Sequence, residues 1–348
     1  MSKIILQLQH VSFSFRTYGG VVKAVRDVSF DVKEGEILGI VGESGCGKSV
    51  TAQSILKLNP QSVGYFESGS IYYKDNDIVP MTETQMRNIR GAEIGFIFQD
   101  PMTSLNPTMT IGKQIKELFI DRNFCSKSEI QERTIEMLKK VGISDPIRRL
   151  RQYPHELSGG MKQRVMIAMA LVSKPSIIIA DEPTTSLDVT IEAQILQLLK
   201  DLSRDLHVSV IIITHDMGVI AKICDRILVM YGGKVVEKGT TDDIFYHTGH
   251  PYTRGLLSSI PKIDMEKTEK LIPIDGTPPD LFSPPKGCPY AARCVCCMEI
   301  CNEQMPDSAV LNIQHDSCCW LHHPFAPHVN LIEQHQTKEP IQAERSDI

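Results

Sequence analysis

Apolar and polar positions alternate over residues 3–35 in short stretches, among them residues 11–15 and 28–32, and the alternation breaks at Gly19-Gly20. A period of two residues is typical of strands with one buried face, and paired glycines suit the turn between two strands. The beginning of the chain is therefore predicted to form an antiparallel hairpin layer.

Continuous apolar runs recur farther along the chain, separated by segments with helical character, at residues 37–41, 94–98, 177–180, 208–213 and 227–230. Strands that are apolar throughout are buried on both faces, as in parallel sheets covered by helices. This pattern predicts an α/β fold with a parallel sheet.

Residues 108–150 are predicted to form a helical insertion. Ser126 and Glu129 have the spacing of a capping box at a helix start. One helical face of this segment is apolar and consists of Ile130, Met137, Leu138 and Val141. A second amphipathic helix is predicted over residues 188–206, with its apolar face in the core.

Toward its C-terminus the chain becomes rich in proline and then polar. Residues 273–289 contain six prolines, which exclude a helix and favour an extended connector. The segment after Trp320 is polar and is predicted to be disordered.

Composition restricts the possible partners of this 348-residue chain. Its net charge of −5 and pI of about 6.1 provide no basic footprint for nucleic acid, so none is expected as a partner. No stretch reaches the roughly 18 consecutive apolar residues of a membrane span, and the first residues lack a signal-peptide pattern. We therefore expect a cytoplasmic protein that contacts a membrane only through a partner.

A glycine-rich octapeptide follows the apolar run at 37–41. It has the P-loop pattern, in which backbone N–H groups cradle phosphates, Lys48 contacts the β- and γ-phosphates, and the Ser49 hydroxyl binds Mg²⁺. The predicted ATP contacts here are Gly42, Glu43, Ser44, Gly45, Cys46, Gly47, Lys48, Ser49 and Val50. Cys46 is interpreted as a small tolerated residue rather than a reactive thiol.

Other short motifs accompany the P-loop in a fixed order. Gln99 follows one apolar run, Leu157-Ser158-Gly159-Gly160-Met161 opens a helical segment, and Asp181-Glu182 ends another run. Ser186-Leu187-Asp188 comes next, and His215 ends a further run. Together these motifs resemble the Q-loop, signature, Walker B, D-loop and switch histidine of an ATP-binding-cassette (ABC) ATPase.

This resemblance implies a role for each residue. Asp181, with Ser49 and Gln99, would hold Mg²⁺, while Glu182 would orient and deprotonate the attacking water. His215 would stabilise charge on the γ-phosphate. Lys48, Gln99, Glu182 and His215 thus form the predicted catalytic set.

Contacts from a second subunit are also implied by the resemblance. Ser158, Gly159 and Gly160 would bind the γ-phosphate held by the opposite subunit, and Asp188 would communicate across the interface. Met161 departs from the commoner glutamine and leaves the anion-binding groups intact. Tyr18 matches the aromatic residue that stacks on adenine, and an ordinary strand tyrosine is the less favoured alternative.

The resemblance implies the P-loop NTPase fold of this family. Residues 4–245 would form a RecA-like core with an N-terminal antiparallel β layer and a helical subdomain at about 101–157. A small C-terminal metal-binding extension would occupy 246–321, followed by a polar tail at 322–348.

Two C-terminal motifs indicate which class of ABC ATPase the chain resembles. His250-Pro251-Tyr252-Thr253-Arg254-Gly255 and Gly287-Cys288-Pro289-Tyr290 resemble the extension of D-type ATP-binding subunits of oligopeptide and dipeptide importers. The implied partners are a second, related ATPase in a heterodimer, two transmembrane permeases and an extracytoplasmic peptide-binding protein. The expected place is the cytoplasmic side of the membrane, with a coupling helix of a permease received by the helical subdomain.

Cysteines cluster in this extension, since seven of the ten lie between Cys288 and Cys319. In a chain without a signal peptide this clustering favours metal binding over disulfides. The resemblance implies that a [4Fe–4S] cluster, with Zn²⁺ as the alternative, is held by Cys288, Cys294, Cys301 and Cys319. The neighbouring Cys318 leaves the fourth ligand open, and His247 and His250 are interpreted as surface histidines.

Two alternatives to a peptide importer stay open at this stage. A soluble cassette ATPase acting on nucleic acid or ribosomes is disfavoured by the acidic balance and the single P-loop. Within the importer class, nickel or another small solute could replace peptides, because the cargo is bound by other chains.

Overall fold

The computed structural model describes residues 3–119, 126–185, 188–260, 274–327 and 329. The strands are β1 (Ile4–Thr17), β2 (Gly20–Lys33), β3 (Ile37–Val41), β4 (Gly64–Tyr73), β5 (Asn76–Asp77), β6 (Ile94–Ile97), β7 (Ile177–Asp181), β8 (Ser209–Thr214), β9 (Arg226–Tyr231), β10 (Lys234–Thr240), β11 (Ala309–Asn312) and β12 (His315–Ser317). The helices are α1 (Lys48–Ile55), α2 (Glu83–Ile89), α3 (Pro101–Ser104), α4 (Ile111–Glu117), α5 (Lys127–Lys140), α6 (Pro146–Arg149), α7 (Gly159–Leu171), α8 (Val189–Leu206), α9 (Met217–Ile223), α10 (Thr241–Tyr246), α11 (Pro251–Ser258) and α12 (Glu299–Glu303).

The predicted hairpin layer is confirmed. β1 and β2 pair antiparallel, and with β4 and β5 they form a sheet in the order β2-β1-β4-β5. Leu6 and Leu8 point into the core while their polar neighbours face outward, as the two-residue period requires. This layer packs over the P-loop helix α1 and the larger sheet.

The predicted parallel strands are also confirmed. They lie in a larger sheet with the order β11-β12-β10-β9-β3-β8-β7-β6, in which β9, β3, β8, β7 and β6 run parallel. Every residue of β3, β7 and β8 is buried, which explains their uninterrupted apolar sequences. The sheet is mixed as a whole, because β10, β12 and β11 add to its edge in antiparallel fashion.

Helices cover the side of the sheet at β6 and β7. The predicted insertion contains α4, α5 and α6, and α5 begins with the predicted capping box of Ser126 and Glu129. Met137, Leu138 and Val141 are buried in a cluster shared with α7 and α8. The amphipathic helix predicted over 188–206 is α8.

The C-terminal segment, meaning the described residues from 246 onward, packs against the same core. β12 extends the large sheet by pairing with β10, and Tyr252, Tyr290 and Cys288 share a buried cluster with Val41 of β3. Residues 274–289 contain neither helix nor strand, as the proline content predicts. Of the segment after Trp320 that is predicted to be disordered, residues 328 and 330–348 lie outside the described residues, and Trp320–His322 form a short 3₁₀ turn.

The interpretation of His250 as a surface residue is wrong. Its side chain is 1% exposed and caps α11, where its ring nitrogen Nδ1 accepts a hydrogen bond from the Tyr252 N–H at 3.1 Å. Burial lowers the pKa of His250 to about 3, so the ring is neutral. His247, by contrast, is exposed.

Candidate functional site

Glycine shapes the turn between β3 and α1. Gly47, directly before α1, has φ +99°, and a Cβ there would lie 2.4 Å from the Ala24 carbonyl oxygen. A Cβ on Gly42 would lie 2.2 Å from the Met230 carbonyl oxygen. These positions accept no side chain, so the backbone can wrap closely at the start of the helix.

Lys48 lies inside this loop and is only 5% exposed. Its ammonium donates hydrogen bonds to the carbonyl oxygens of Gly42 at 2.7 Å and Glu43 at 2.9 Å. The positive charge of Lys48 therefore lies at the N-terminus of α1, where phosphate oxygens would bind. Cys46 is buried beside it, and burial raises the pKa of its thiol, as expected for an unreactive cysteine.

Two of the three residues predicted to hold Mg²⁺, Ser49 and Asp181, lie in contact. The Ser49 hydroxyl at the start of α1 donates to Asp181 Oδ1 at the end of β7, at 2.8 Å. Burial raises the pKa of Asp181, and the Ser49 hydrogen bond and the Lys48 charge oppose that rise. A hydroxyl and a carboxylate oxygen are ligands that suit Mg²⁺.

Three side chains converge on the Glu182 carboxylate. Gln99 Nε2 donates to its Oε2 at 2.7 Å, Thr185 Oγ1 donates to the same oxygen at 2.9 Å, and His215 Nδ1 lies 3.3 Å from Oε1. This convergence arises because β6, β7 and β8 are neighbours whose carboxyl ends share one edge of the sheet. Thr185 was not predicted, since a threonine in a loop carries no distinctive signal.

The backbone of Glu182 is itself unusual. Its φ is +46°, a conformation that non-glycine residues rarely adopt and that is often found at functional sites. The Glu182 N–H still donates to the Ile213 carbonyl at 2.9 Å, which anchors the residue to β8. The side chain is therefore directed by the sheet edge rather than by a flexible loop.

The residues predicted to act on the opposite subunit face solvent. Ser158 caps α7 by accepting from the Met161 N–H at 3.4 Å, and Ser158 and Gly159 are exposed, with Gly160 half-buried. Asp188, directly before α8, is also exposed. Within the part of the chain that the structure describes, no hydrogen bond joins them to the P-loop.

Tyr18 lies in the turn between β1 and β2 and is fully exposed. It is outside both strands, so the alternative of an ordinary strand tyrosine does not hold. Its ring is available for contact with a ligand.

A set of cysteines lines one small cavity of about 10 Å³, here called the cysteine pocket: Cys288, Cys294, Cys296, Cys301 and Cys319. Cys318 instead lines a separate cavity of about 410 Å³ together with Lys234 and Asp316. The structure thus distinguishes Cys319 from Cys318.

The described residues contain no preformed site for the predicted iron–sulfur or zinc centre. Among the described residues, no group of three or more His, Cys, Asp or Glu is arranged so that it could hold a metal ion. Burial raises the pKa of Cys288 to about 11 and that of Cys319 to about 12. The metal centre stays a prediction from the resemblance.

None of the described helices has the length and apolar character that a bilayer crossing requires.

Comparison with known proteins gives two family matches. Residues 25–185 match the family described as ABC transporter, and residues 236–301 match the C-terminal region of oligopeptide/dipeptide transporters.

Similar proteins extend over almost the whole chain. It is 54% identical over 327 residues to the dipeptide transport ATP-binding protein DppD of Bacillus subtilis (strain 168), covering 94% of this chain and 97% of that protein. It is 52% identical to the oligopeptide transport ATP-binding protein OppD of the same strain, covering 96% and 93%. Among solved structures, a dimeric post-hydrolysis state of the ATP-binding cassette MJ0796 bound to ADP and Pi matches with a TM-score of 0.60 and 31% identity, covering 68% of this chain and 98% of that one.

Proposed function

The chain belongs to the ABC transporter family, and we propose that it is the subunit whose ATP hydrolysis drives import of dipeptides or oligopeptides. Its activity is that of an ATPase. The peptide cargo follows from the names of its relatives, which are dipeptide and oligopeptide transport ATP-binding proteins.

One observation carries the proposed chemistry: Gln99, Thr185 and His215 converge on Glu182, one residue from the Asp181–Ser49 pair. In this arrangement Lys48 binds the phosphates and Glu182 accepts a proton from water. The water oxygen attacks the γ-phosphorus while the bond to the β–γ bridging oxygen breaks. Ser49 and Asp181, with Gln99 nearby, would hold Mg²⁺, which would supply positive charge to neutralise the phosphates.

Nucleotide is proposed to be sandwiched between two ATPase subunits. The exposed Ser158, Gly159 and Gly160 offer a hydroxyl and N–H groups at a helix start, which suits a phosphate held by a partner. Asp188 would lie at the same interface and Tyr18 would stack on adenine. The partner is proposed to be a related ATPase, and two permeases would hold both subunits against the cytoplasmic face of the membrane.

The cysteine pocket is the proposed place for a [4Fe–4S] cluster or Zn²⁺. Support comes from the four predicted ligands, Cys288, Cys294, Cys301 and Cys319, which line the same cavity. Iron, sulfide and zinc analysis of the purified full-length chain tests this proposal, and a protein free of all three would contradict it.

The function is tested with the native membrane assembly, captured through a tag on this chain and reconstituted in vesicles. We expect ATP-dependent uptake of di- and oligopeptides in the presence of the extracytoplasmic binding protein. Uptake of nickel alone, or capture of ribosomes or nucleic acid without permeases, would overturn the proposal. Vesicles carrying Glu182→Gln provide the matched control without turnover.

A further inference from the structure

A partly buried ion pair links the C-terminal segment to the P-loop. Arg293 ends a short 3₁₀ turn, Ala291–Arg293, and its side chain is 5% exposed. Its guanidinium forms a two-pronged pair with the carboxylate of Glu43, with Nη1–Oε2 at 2.6 Å and Nη2–Oε1 at 3.0 Å. Glu43 is the second residue of the P-loop, and 250 positions separate the two partners.

The remaining donors of Arg293 are also occupied. Nε donates to the Asp275 carbonyl at 2.8 Å, Nη1 to the Tyr231 hydroxyl at 2.9 Å, and Nη2 to the Ile274 carbonyl at 3.0 Å. A guanidinium has five N–H groups in a rigid plane, and here each has an acceptor. The position of the Glu43 carboxylate is therefore set by the C-terminal segment.

A second contact holds the backbone of the same residue. The Glu43 N–H donates to the hydroxyl of Tyr252 at 2.8 Å. The Tyr252 ring is completely buried and packs against Tyr231 and Tyr290, with ring centres 4.4 Å and 5.2 Å apart. Both the main chain and the side chain of Glu43 are thus held from outside the P-loop.

Glu43 in turn contacts the residue that carries the phosphate-binding charge. Its carbonyl oxygen accepts from Lys48 at 2.9 Å, beside the carbonyl of Gly42. A P-loop binds phosphate through the placement of its backbone N–H groups, and preorganised donors bind more tightly than donors that must be ordered on binding. Release of Glu43 would therefore weaken nucleotide binding.

We propose that Arg293 and Tyr252 are positioning residues through which the C-terminal segment holds the P-loop in its nucleotide-binding shape and so sets the affinity for ATP. This inference rests on the proposed function, since it takes ATP as the ligand of the P-loop. It assigns to the C-terminal segment a part in the ATPase site itself.

The test uses the full-length chain and its assembled complex, with Mg-ATP as the probe. We expect Arg293→Gln to raise the dissociation constant and the KM for ATP about tenfold while changing kcat less than twofold. Arg293→Lys, which keeps the charge but loses the two-pronged geometry, should fall between wild type and Arg293→Gln. Tyr252→Phe, which removes one hydroxyl, should raise KM about threefold.

Lys238→Gln is the matched control, because it removes a 2.8 Å ion pair with Asp316 that also joins core and C-terminal segment but does not reach the P-loop. It should leave KM unchanged. A double-mutant cycle with Glu43→Gln should show that Arg293→Gln costs no further affinity once the carboxylate is gone.

Three results would overturn the inference: wild-type affinity in both Arg293→Gln and Tyr252→Phe, an equal loss in Lys238→Gln, or fully additive losses with Glu43→Gln. If Arg293→Gln does not fold, Tyr252→Phe and Arg293→Lys decide the matter by the same KM comparison. A wild-type chain that neither binds nor hydrolyses ATP would instead contradict the proposed function.

Discussion

At the scale of single residues, the candidate site depends on side chains placed by backbone geometry. Glu182 directly follows β7, has a positive φ and donates its backbone N–H to β8. Its two carboxylate oxygens contact Gln99, Thr185 and His215. A carboxylate with this many fixed neighbours is oriented before substrate arrives, which favours proton transfer from a bound water.

Replacement of that carboxylate is expected to separate binding from turnover. Glu182→Gln keeps the shape and one oxygen acceptor but cannot take a proton, so kcat should fall at least 100-fold while the dissociation constant for ATP stays within threefold. Phosphate release and nucleotide titration measure the two quantities. Glu136→Gln on the exposed face of α5 is the control, and hydrolysis at the wild-type rate in Glu182→Gln would refute the assignment.

His250 is expected to make stability depend on pH. Its folded-state pKa of about 3 lies below the ordinary value near 6.5 because the ring is buried, and its Nε2 has no hydrogen-bond partner among the residues that the structure describes. Between pH 3 and pH 6.5 the unfolded chain carries a proton on His250 that the folded chain does not. The stabilisation of the folded state by neutral His250 is therefore complete above pH 6.5. Below that pH it falls by roughly 1.4 kcal/mol per pH unit.

The variant His250→Asn isolates the pH-dependent contribution of His250 to stability, because asparagine also caps helices but does not titrate. Urea unfolding at pH 7 and pH 5 should show the wild type losing roughly 2 kcal/mol more than His250→Asn over this interval. Equal losses in the two proteins would show that His250 does not titrate on unfolding.

At the scale of elements, one buried carboxylate contacts both the sheet and the C-terminal segment, in addition to the backbone pairing of β12 with β10. Glu237 of β10 accepts from the Gly249 N–H at 2.5 Å and the His250 N–H at 3.2 Å, and its Oε1 lies 2.8 Å from His315 Nε2 of β12. Its side chain is completely buried. One residue therefore joins β10, β12 and the start of α11.

Loss of this carboxylate should be costly. Glu237→Ala leaves these buried groups without an acceptor, and we expect the free energy of unfolding to fall by roughly 3–5 kcal/mol. Glu237→Gln, which keeps an oxygen acceptor, should lose less, and Glu34→Ala at an exposed site serves as control. Denaturant unfolding gives the values, and a loss below about 1 kcal/mol in Glu237→Ala would be inconsistent with this role.

At the scale of the whole molecule, the C-terminal segment completes the core. Cys288, Tyr290 and Tyr252 lie in the same buried cluster as Val41 and Tyr231 of the central strands. Each fully buried large apolar side chain contributes roughly 1.5–3 kcal/mol, so removal of this segment exposes much of that cluster to water.

A chain truncated after residue 245 is therefore expected to aggregate or to unfold at least about 10 °C below the full-length protein. Truncation after residue 329 removes only the tail and is the matched control. Thermal unfolding followed by circular dichroism measures the difference. A truncated chain as stable as the control would mean that the core is complete without the C-terminal segment.

The local parts of this protein follow from patterns in its amino-acid sequence. The hairpin layer, the buried parallel strands, the P-loop and the capped helix α5 follow from periodicity, glycine spacing and capping residues, which act between neighbours in the chain. The lack of helix and strand over residues 274–289 follows for the same reason, since proline acts on its own backbone.

Which distant groups meet depends instead on how the folded chain packs. The contact of Arg293 with Glu43, the fit of Thr185 to Glu182 and the burial of His250 depend on how strands and loops pack. The position of Cys319 in the cysteine pocket and of Cys318 outside it was likewise open in the sequence, because adjacent residues differ there only in the direction of their side chains. Such contacts arise from packing across long loops, and no local pattern in the chain encodes them.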